Sequence, residues 1–97
     1  MPVAPFVLRL YIAGNSANSR RAAQDLDRLR ASLISKGWQI EVVDVLQRPD
    51  LAERAGIIAT PTLSYEAGDR PRRIVGDLSD TRRVLNFLGI EAGGEDA

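Results

Sequence analysis

The sequence predicts an α/β domain in which a βαβ unit precedes a short helix and a ββα unit. Two apolar, β-prone runs at 6–12 and 38–46 flank an amphipathic segment at 19–36. A strand, a helix and a strand in this order form a right-handed unit with parallel strands. The 97 residues suit one domain, 1–97, with a core over about 6–89 and a polar tail thereafter.

The first helix is predicted from an apolar stripe at helical spacing, formed by Ala22, Leu26, Leu29 and Leu33. We place Arg21 and Asp25, four residues apart, on the outer side of this helix. Ser16 or Asn18 is expected to cap its N-terminus, and Gly37 is expected to end it.

The second half of the chain has weaker signals. Pro49 opens a short helix over 49–55, and Gly56 ends it. Two short strands are predicted at 62–66 and 72–75, and the composition between them is that of a hairpin loop.

A last helix completes the predicted order, capped by Asp77 or Ser79 and ended by Gly89. The order is therefore βαβαββα. This is the thioredoxin order without an extra N-terminal strand, so the expected fold class is a thioredoxin-like α/β domain.

The composition excludes several functions. Thirteen basic and thirteen acidic residues give no net charge, which argues against binding of nucleic acid or an anionic membrane. The chain has no cysteine and no histidine, which removes disulfides, thiol nucleophiles, zinc–thiolate sites and the commonest general base. No signal peptide or membrane span is recognisable, and a cytoplasmic location is expected. We predict no cofactor and no metal.

The turn before the first helix holds Ser16 and Ser19 at the positions of the two redox cysteines of thioredoxins. A hydroxyl cannot exchange disulfides, and a nucleophilic serine needs an adjacent base. Helix capping is the expected role of these hydroxyls, and we predict that the chain is not an enzyme.

Two other features of the sequence do not form sites for chemistry. Gly14 follows a strand and precedes a helix, but nucleotide-binding loops need several glycines at fixed spacing. The carboxylates are scattered over different elements and predict caps and surface charges, not a metal or acid–base cluster: Asp44, Asp50, Asp77 and Asp80.

The Thr60–Pro61 bond occupies the position that is cis in thioredoxin-like proteins, where it faces the start of the first helix. A cis-proline at Pro61 would place Thr60 beside the turn at 16–19. The alternative is a trans proline that only rigidifies the turn.

Several blocks of the sequence together resemble the KaiB family of circadian-clock proteins. The resemblance runs without gaps from about Phe6 to Leu88. Its main blocks are Leu10–Asn15, Asn18–Ser19, Val43–Leu46, Leu51–Glu53, Ile58–Leu63 and Arg72–Ser79.

The resemblance implies a regulatory binding protein that docks on the N-terminal ATPase ring of a KaiC-like partner. Family members also capture KaiA and compete with a sensor kinase whose N-terminal domain is KaiB-like. The family further implies fold switching between the thioredoxin-like form and a resting form with a rearranged C-terminal half (βαββααβ). The resting form assembles into homodimers or homotetramers.

Individual positions carry over from the family. Arg21, with Asn18 nearby, matches a basic position that faces the ATPase. The segment whose conformation differs between the two folds matches Arg72, Arg73, Gly76 and Asp77. Glycines at 56, 68, 76 and 89 and short strands make two packings of this half a few kcal/mol apart plausible. An ordinary hairpin with one stable pairing is the alternative.

Two positions depart from the family. Gly56 and Glu41 stand where family members often have lysine, and Glu41 reverses the charge on the strand edge where the third clock protein docks. A variant partner set is therefore expected, with or without a KaiA-like protein. Two other functions stay open: a sensory or adaptor domain related to the kinase input domain, and a glutathione-binding enzyme using the Thr60–Pro61 backbone.

Overall fold

Four strands and three helices make up the fold. The structure, a computed structural model, describes residues 6–67, 70–76 and 78–89. The elements in chain order are β1 (Phe6–Ile12), α1 (Ala17–Ser35), β2 (Trp38–Asp44), α2 (Pro49–Ala55), β3 (Thr62–Ala67), β4 (Arg70–Val75) and α3 (Thr81–Phe87). The predicted βαβαββα order is confirmed.

The strands form one sheet in the order β2-β1-β3-β4. β1 runs parallel to β2, with Leu8 opposite Ile40, and antiparallel to β3, with Leu10 opposite Leu63. β3 and β4 form an antiparallel hairpin in which Leu63 lies opposite Ile74. β2 and β4 are therefore the two edges of the sheet.

The main core lies on the face of the sheet that α1 and α3 cover. Its buried residues include Leu8, Leu10, Ala22, Leu26, Leu33, Leu63, Ile74, Leu78, Val84 and Leu88. The aromatic rings extend this core: Tyr65 packs edge-on against Trp38 and Phe87, with centroid distances of 5.3 and 5.1 Å. The Tyr65 hydroxyl also donates to the Phe87 carbonyl over 3.0 Å, which ties α3 to the sheet.

α2 lies against the opposite face. Tyr11 and Val43 are neighbours in the β1–β2 register and are both buried, as is Ala52 of α2. Pro at the start of α2 and a left-handed Gly56 at its end agree with the predicted limits.

α1 runs from Ala17 to Ser35, so it begins two residues and ends one residue before the predicted segment 19–36. Three strand boundaries also differ from the predictions. β2 ends at Asp44, not at residue 46, because the Asp44 carbonyl turns back to accept from the Gln47 and Arg48 amides. In the hairpin, residues 67, 70 and 71 belong to the strands and not to the loop.

The cap of α3 also differs from the prediction. Asp80, not Asp77 or Ser79, accepts from the Arg83 amide over 3.1 Å and caps the helix. Leu78 is buried before this point, so the chain enters the core before the helix begins. Asp77 itself lies outside the described residues.

Within the described residues, no helix combines the length and apolar character needed to cross a membrane.

Candidate functional site

The turn between β1 and α1 is held by two serine hydroxyls. Ser16 caps α1, its Oγ accepting from the Ser19 amide over 3.2 Å and donating to Ser19 Oγ over 2.9 Å. Ser19 Oγ accepts in turn from the Ala13 amide over 3.0 Å, and the residue is only 1% exposed. Both hydroxyls are thus engaged in capping the helix and closing the turn.

Asp44 joins this turn to the end of β2. Its Oδ1 accepts from the Gly14 amide over 2.9 Å and from the Leu46 amide over 3.0 Å. Gly14 has φ +60, and a Cβ there would lie 3.0 Å from Leu46 Cδ1. The positive φ favours glycine, whereas the exposed Leu46 side chain could move away from an added Cβ, so the backbone conformation gives Gly14 a structural role.

The Thr60–Pro61 bond is cis and lies across a groove from the first turns of α1. The groove has a volume of about 260 Å³ and is lined by Asn18, Arg21, Ala22, Asp25, Thr60, Pro61, Gly76 and Leu78. Asn18 and Arg21 are exposed at its rim. Within the described part of the chain, Arg21 makes no ion pair, so its charge is available to a partner.

The sequence predicted that Asp25 lies on the outer side of α1, and this prediction is wrong. The residue is 7% exposed, because it flanks the apolar stripe of α1, and it lines the groove that Thr60 and Pro61 also line. Its Oδ1 accepts from Arg28 Nη2 over 2.5 Å, while its Oδ2 is buried without a hydrogen-bond partner among the described residues. Its spacing from Ala22 and Leu26 was the signal that could have indicated burial.

A second depression adjoins this groove, since Thr60 lines both. It has a volume of about 520 Å³ and is formed by Val45, Pro49, Ala52, Glu53, Ile57, Ile58, Ala59 and Thr60. Ile58 is 98% exposed, the most exposed of the large apolar residues in the described part of the chain. The sequence analysis included Ile58 only as part of the block Ile58–Leu63, although two apolar residues directly after a helix-ending glycine could have indicated an exposed apolar loop.

Glu41 lies elsewhere, on the edge strand β2. Its Oε1 accepts from Arg9 Nε over 2.8 Å, and this hydrogen bond raises the pKa of Arg9. Glu41 lines a third depression with Tyr11 and Arg54, on the α2 side of the sheet. The structure therefore places Asn18 and Arg21 around one groove, and Glu41 outside it.

The predicted switch segment lies on β4 and just after it. Arg72 and Arg73 are exposed and pair in register with Tyr65 and Ser64, so they extend to opposite faces of the sheet. Gly76 has φ +99, and its amide donates to the Pro61 carbonyl over 2.9 Å.

Among the described residues, no three or more acidic, cysteine or histidine side chains are grouped so that they could hold a metal ion. An apolar loop adjoins a shallow groove rimmed by an amide and a guanidinium.

Known proteins are similar to this chain in sequence and in fold. A family model described as the KaiB domain matches residues 9–90. The circadian clock oscillator protein KaiB of Synechococcus sp. strain CC9311 is 45% identical over 89 residues, which cover 92% of this chain and 75% of that protein. The KaiB of a Picosynechococcus species is 46% identical over 85 residues, covering 88% and 82% of the two chains.

Solved structures add the fold. The N-terminal domain of SasA from Synechococcus elongatus matches with a TM-score of 0.69 at 20% identity, covering 92% of this chain and 88% of that one. The thioredoxin Deadhead of Drosophila melanogaster matches with a TM-score of 0.72 at 16% identity, covering 88% and 79%. The fold is thus thioredoxin-like, and the sequence identity shows that the chain belongs to the KaiB family of circadian clock proteins.

Proposed function

We propose that this chain is a non-enzymatic clock regulator that docks on a KaiC-like ATPase. The docking surface consists of Asn18 and Arg21 on α1 together with the loop Ile57–Thr60. The observation that carries the proposal is the position of Arg21, the residue matched to the family's ATPase-facing cation. It stands at the rim of a groove that adjoins the exposed loop.

The character of this surface suits a protein partner. Specific interfaces combine an apolar centre with a polar rim, and arginine is enriched in them. Ile58 supplies the apolar element, while Asn18 and Arg21 supply the rim. The hydrogen-bonded Ser16 and Ser19 hydroxyls offer no activated nucleophile, which favours binding over catalysis.

We further propose that docking selects the thioredoxin-like form from two forms of the chain. Support comes from the division of the fold into a βαβ unit, with its own cap and parallel register, and a ββα unit joined to it along β1. A partner that binds one form better than the other shifts the population by its difference in affinity.

The partner set differs from that of a clock with all three proteins. Glu41 is already paired with Arg9, so the β2 edge offers a neutralised ion pair where the family often carries a lysine. We expect weak or no binding of a KaiA-like protein at this edge, because a neutralised ion pair lacks the free positive charge that would speed encounter with a complementary partner.

The test is a binding experiment with the full chain and the KaiC-like ATPase of the same organism. The proteins are incubated for a day with ATP or ADP and analysed by size exclusion and biolayer interferometry. We expect a complex, and we expect Arg21→Ala to weaken it about tenfold, as loss of an interface arginine often does.

Arg30→Ala is the matched control. Arg30 lies further along the same helix, pairs with Asp27 over 3.0 Å and is remote from the groove residues. Absence of any complex with the unaltered chain would refute the proposed function. Equal affinities of the two variants would show that Arg21 is not part of the docking surface.

A further inference from the structure

Arg73 of β4 reaches across the sheet face to the C-terminal end of α2. Its guanidinium donates to the carbonyl oxygen of Ala55 through Nη2 and to that of Gly56 through Nη1, the latter over 3.4 Å. These residues are 17 and 18 positions apart in the sequence. The contact therefore joins the hairpin to α2, two parts of the chain that are not neighbours along it.

The carbonyls that Arg73 binds are those that a helix end leaves without intrahelical donors. A cation at this end also interacts favourably with the helix dipole. α2 has only seven residues, too few to be stable by itself, so contacts at its ends weigh heavily. Arg73 is thus a C-terminal cap that comes from a strand.

The same contact fixes the start of the loop that follows α2. The Gly56 and Ile57 amides turn back onto the Glu53 and Ala52 carbonyls over 3.1 and 2.9 Å. Arg73 holds the outward carbonyl of Gly56, which begins the loop.

The far end of the loop is also tied to the hairpin. Thr62 Oγ1 of β3 donates to the Ala59 carbonyl over 2.6 Å. Ile58 lies between these two hydrogen-bonded points and is almost wholly exposed, so packing does not fix its position. The placement of the loop therefore depends on β3 and β4, through one hydrogen-bonding side chain from each.

We propose that Arg73 is a positioning residue for the docking surface, coupling the register of β4 to the placement of the loop Ile57–Thr60. A shift of β4 by one residue would send the side chain at position 73 to the other face of the sheet and remove the cap. The loop is set for docking only when β4 is paired as it is here, with Arg73 opposite Ser64. The consequence for docking rests on the proposed function, whereas the cap itself does not.

The chain contains its own control. Arg72 is adjacent, equally basic and exposed, but extends to the opposite face, and its side chain has no hydrogen bond to any described residue. Arg73→Gln and Arg72→Gln remove the same charge from the same strand. Arg73→Lys keeps the charge but loses the fork that reaches two carbonyls, so an intermediate effect is expected.

The first measurement is amide hydrogen exchange by NMR on the free protein. We expect Arg73→Gln to speed exchange of the Gly56 and Ile57 amides about three- to tenfold, the effect of losing a partly solvated charged hydrogen bond. Arg72→Gln should leave both rates within twofold of the parent. Equal rates in the two glutamine variants would overturn the proposed cap.

The second measurement is docking on the KaiC-like ATPase. Arg73→Gln should weaken docking several-fold, and Arg72→Gln should not. Faster exchange with unchanged docking would overturn the positioning role while leaving the cap. If the unaltered chain does not dock, the proposed function fails, and the exchange experiment still decides the cap. If Arg73→Gln does not fold, the lysine variant supplies both measurements.

Discussion

Gly76 offers a direct test of whether the second half of this chain has two packings. Its φ of +99 lies in the region that favours glycine, and a Cβ added there would meet no atom within 4 Å. Gly76→Ala therefore changes backbone energy and not packing, by about 1–2 kcal/mol against the fold described. That is roughly a 5- to 30-fold change in an equilibrium between two forms.

The expected effect appears in two-dimensional NMR spectra of the full chain. The hydrogen bond from Gly76 to the Pro61 carbonyl holds residue 76 at this φ, and a rearranged second half would release it. We expect Gly76→Ala to introduce, or to strengthen, a second set of signals from residues 48–89, at the expense of the thioredoxin-like set. The βαβ unit should keep one set.

Gly37→Ala is the control. Gly37 has φ +92, again with no atom within 4 Å of an added Cβ, but it lies between α1 and β2, in the βαβ unit that the proposed rearrangement leaves unchanged. Gly37→Ala should lower the free energy of unfolding by a similar amount without changing the ratio of the two sets of NMR signals. If Gly76→Ala only destabilises the protein as Gly37→Ala does, the two-packing reasoning is wrong. If neither variant loses stability, the estimate of backbone strain is wrong.

Two further predictions concern the helix N-termini. Ser19→Ala removes the acceptor of the Ala13 amide, so we expect the free energy of unfolding, measured in urea, to fall by about 1–2 kcal/mol. Ser32→Ala, at an exposed position of the same helix, should cause no loss. Equal stabilities of the two variants would contradict the role of the Ser19 hydroxyl. The hydrogen bond from Arg48 lowers the pKa of Asp50, so the stability it adds is present above the ordinary carboxyl pKa and is lost as pH falls through the lowered one. In an NMR titration, Arg48→Gln should raise the pKa of Asp50, and an unchanged pKa would show that Arg48 is not its cause.

Local signals predicted most of the fold. The apolar stripe of α1, the Ser16 cap and the glycine that ends α2 are all encoded within one or two turns of sequence. The predictions were wrong where contacts between residues distant in the sequence outweigh local sequence signals. Asp25 was predicted on the surface, but it is buried beside the apolar stripe of α1, on the groove that Thr60 and Pro61 also line. The cap of α3 lies at Asp80, after the buried Leu78.

The candidate site was less predictable, because its parts meet only in three dimensions. Arg21 and Asn18 were singled out through the family resemblance, and no property of α1 alone distinguishes Arg21 from Arg20. The Arg73 contact with α2 depends on the register of β4, and a one-residue slip would remove it. No sequence window contains that information.

If the second half of the chain rearranges as proposed, the central position of β1 makes the rearrangement depend on protein concentration. β1 pairs with β2 over seven residues and with β3 over four, from Leu8 to Tyr11. A form in which β3 leaves β1 would open that side of the strand, and open strand edges recruit other strands. Wherever a second copy supplies the missing strand, the exchange becomes a reaction between molecules, and mass action governs it. The cellular concentration of the protein would then determine which fraction is self-associated and which fraction is free to dock.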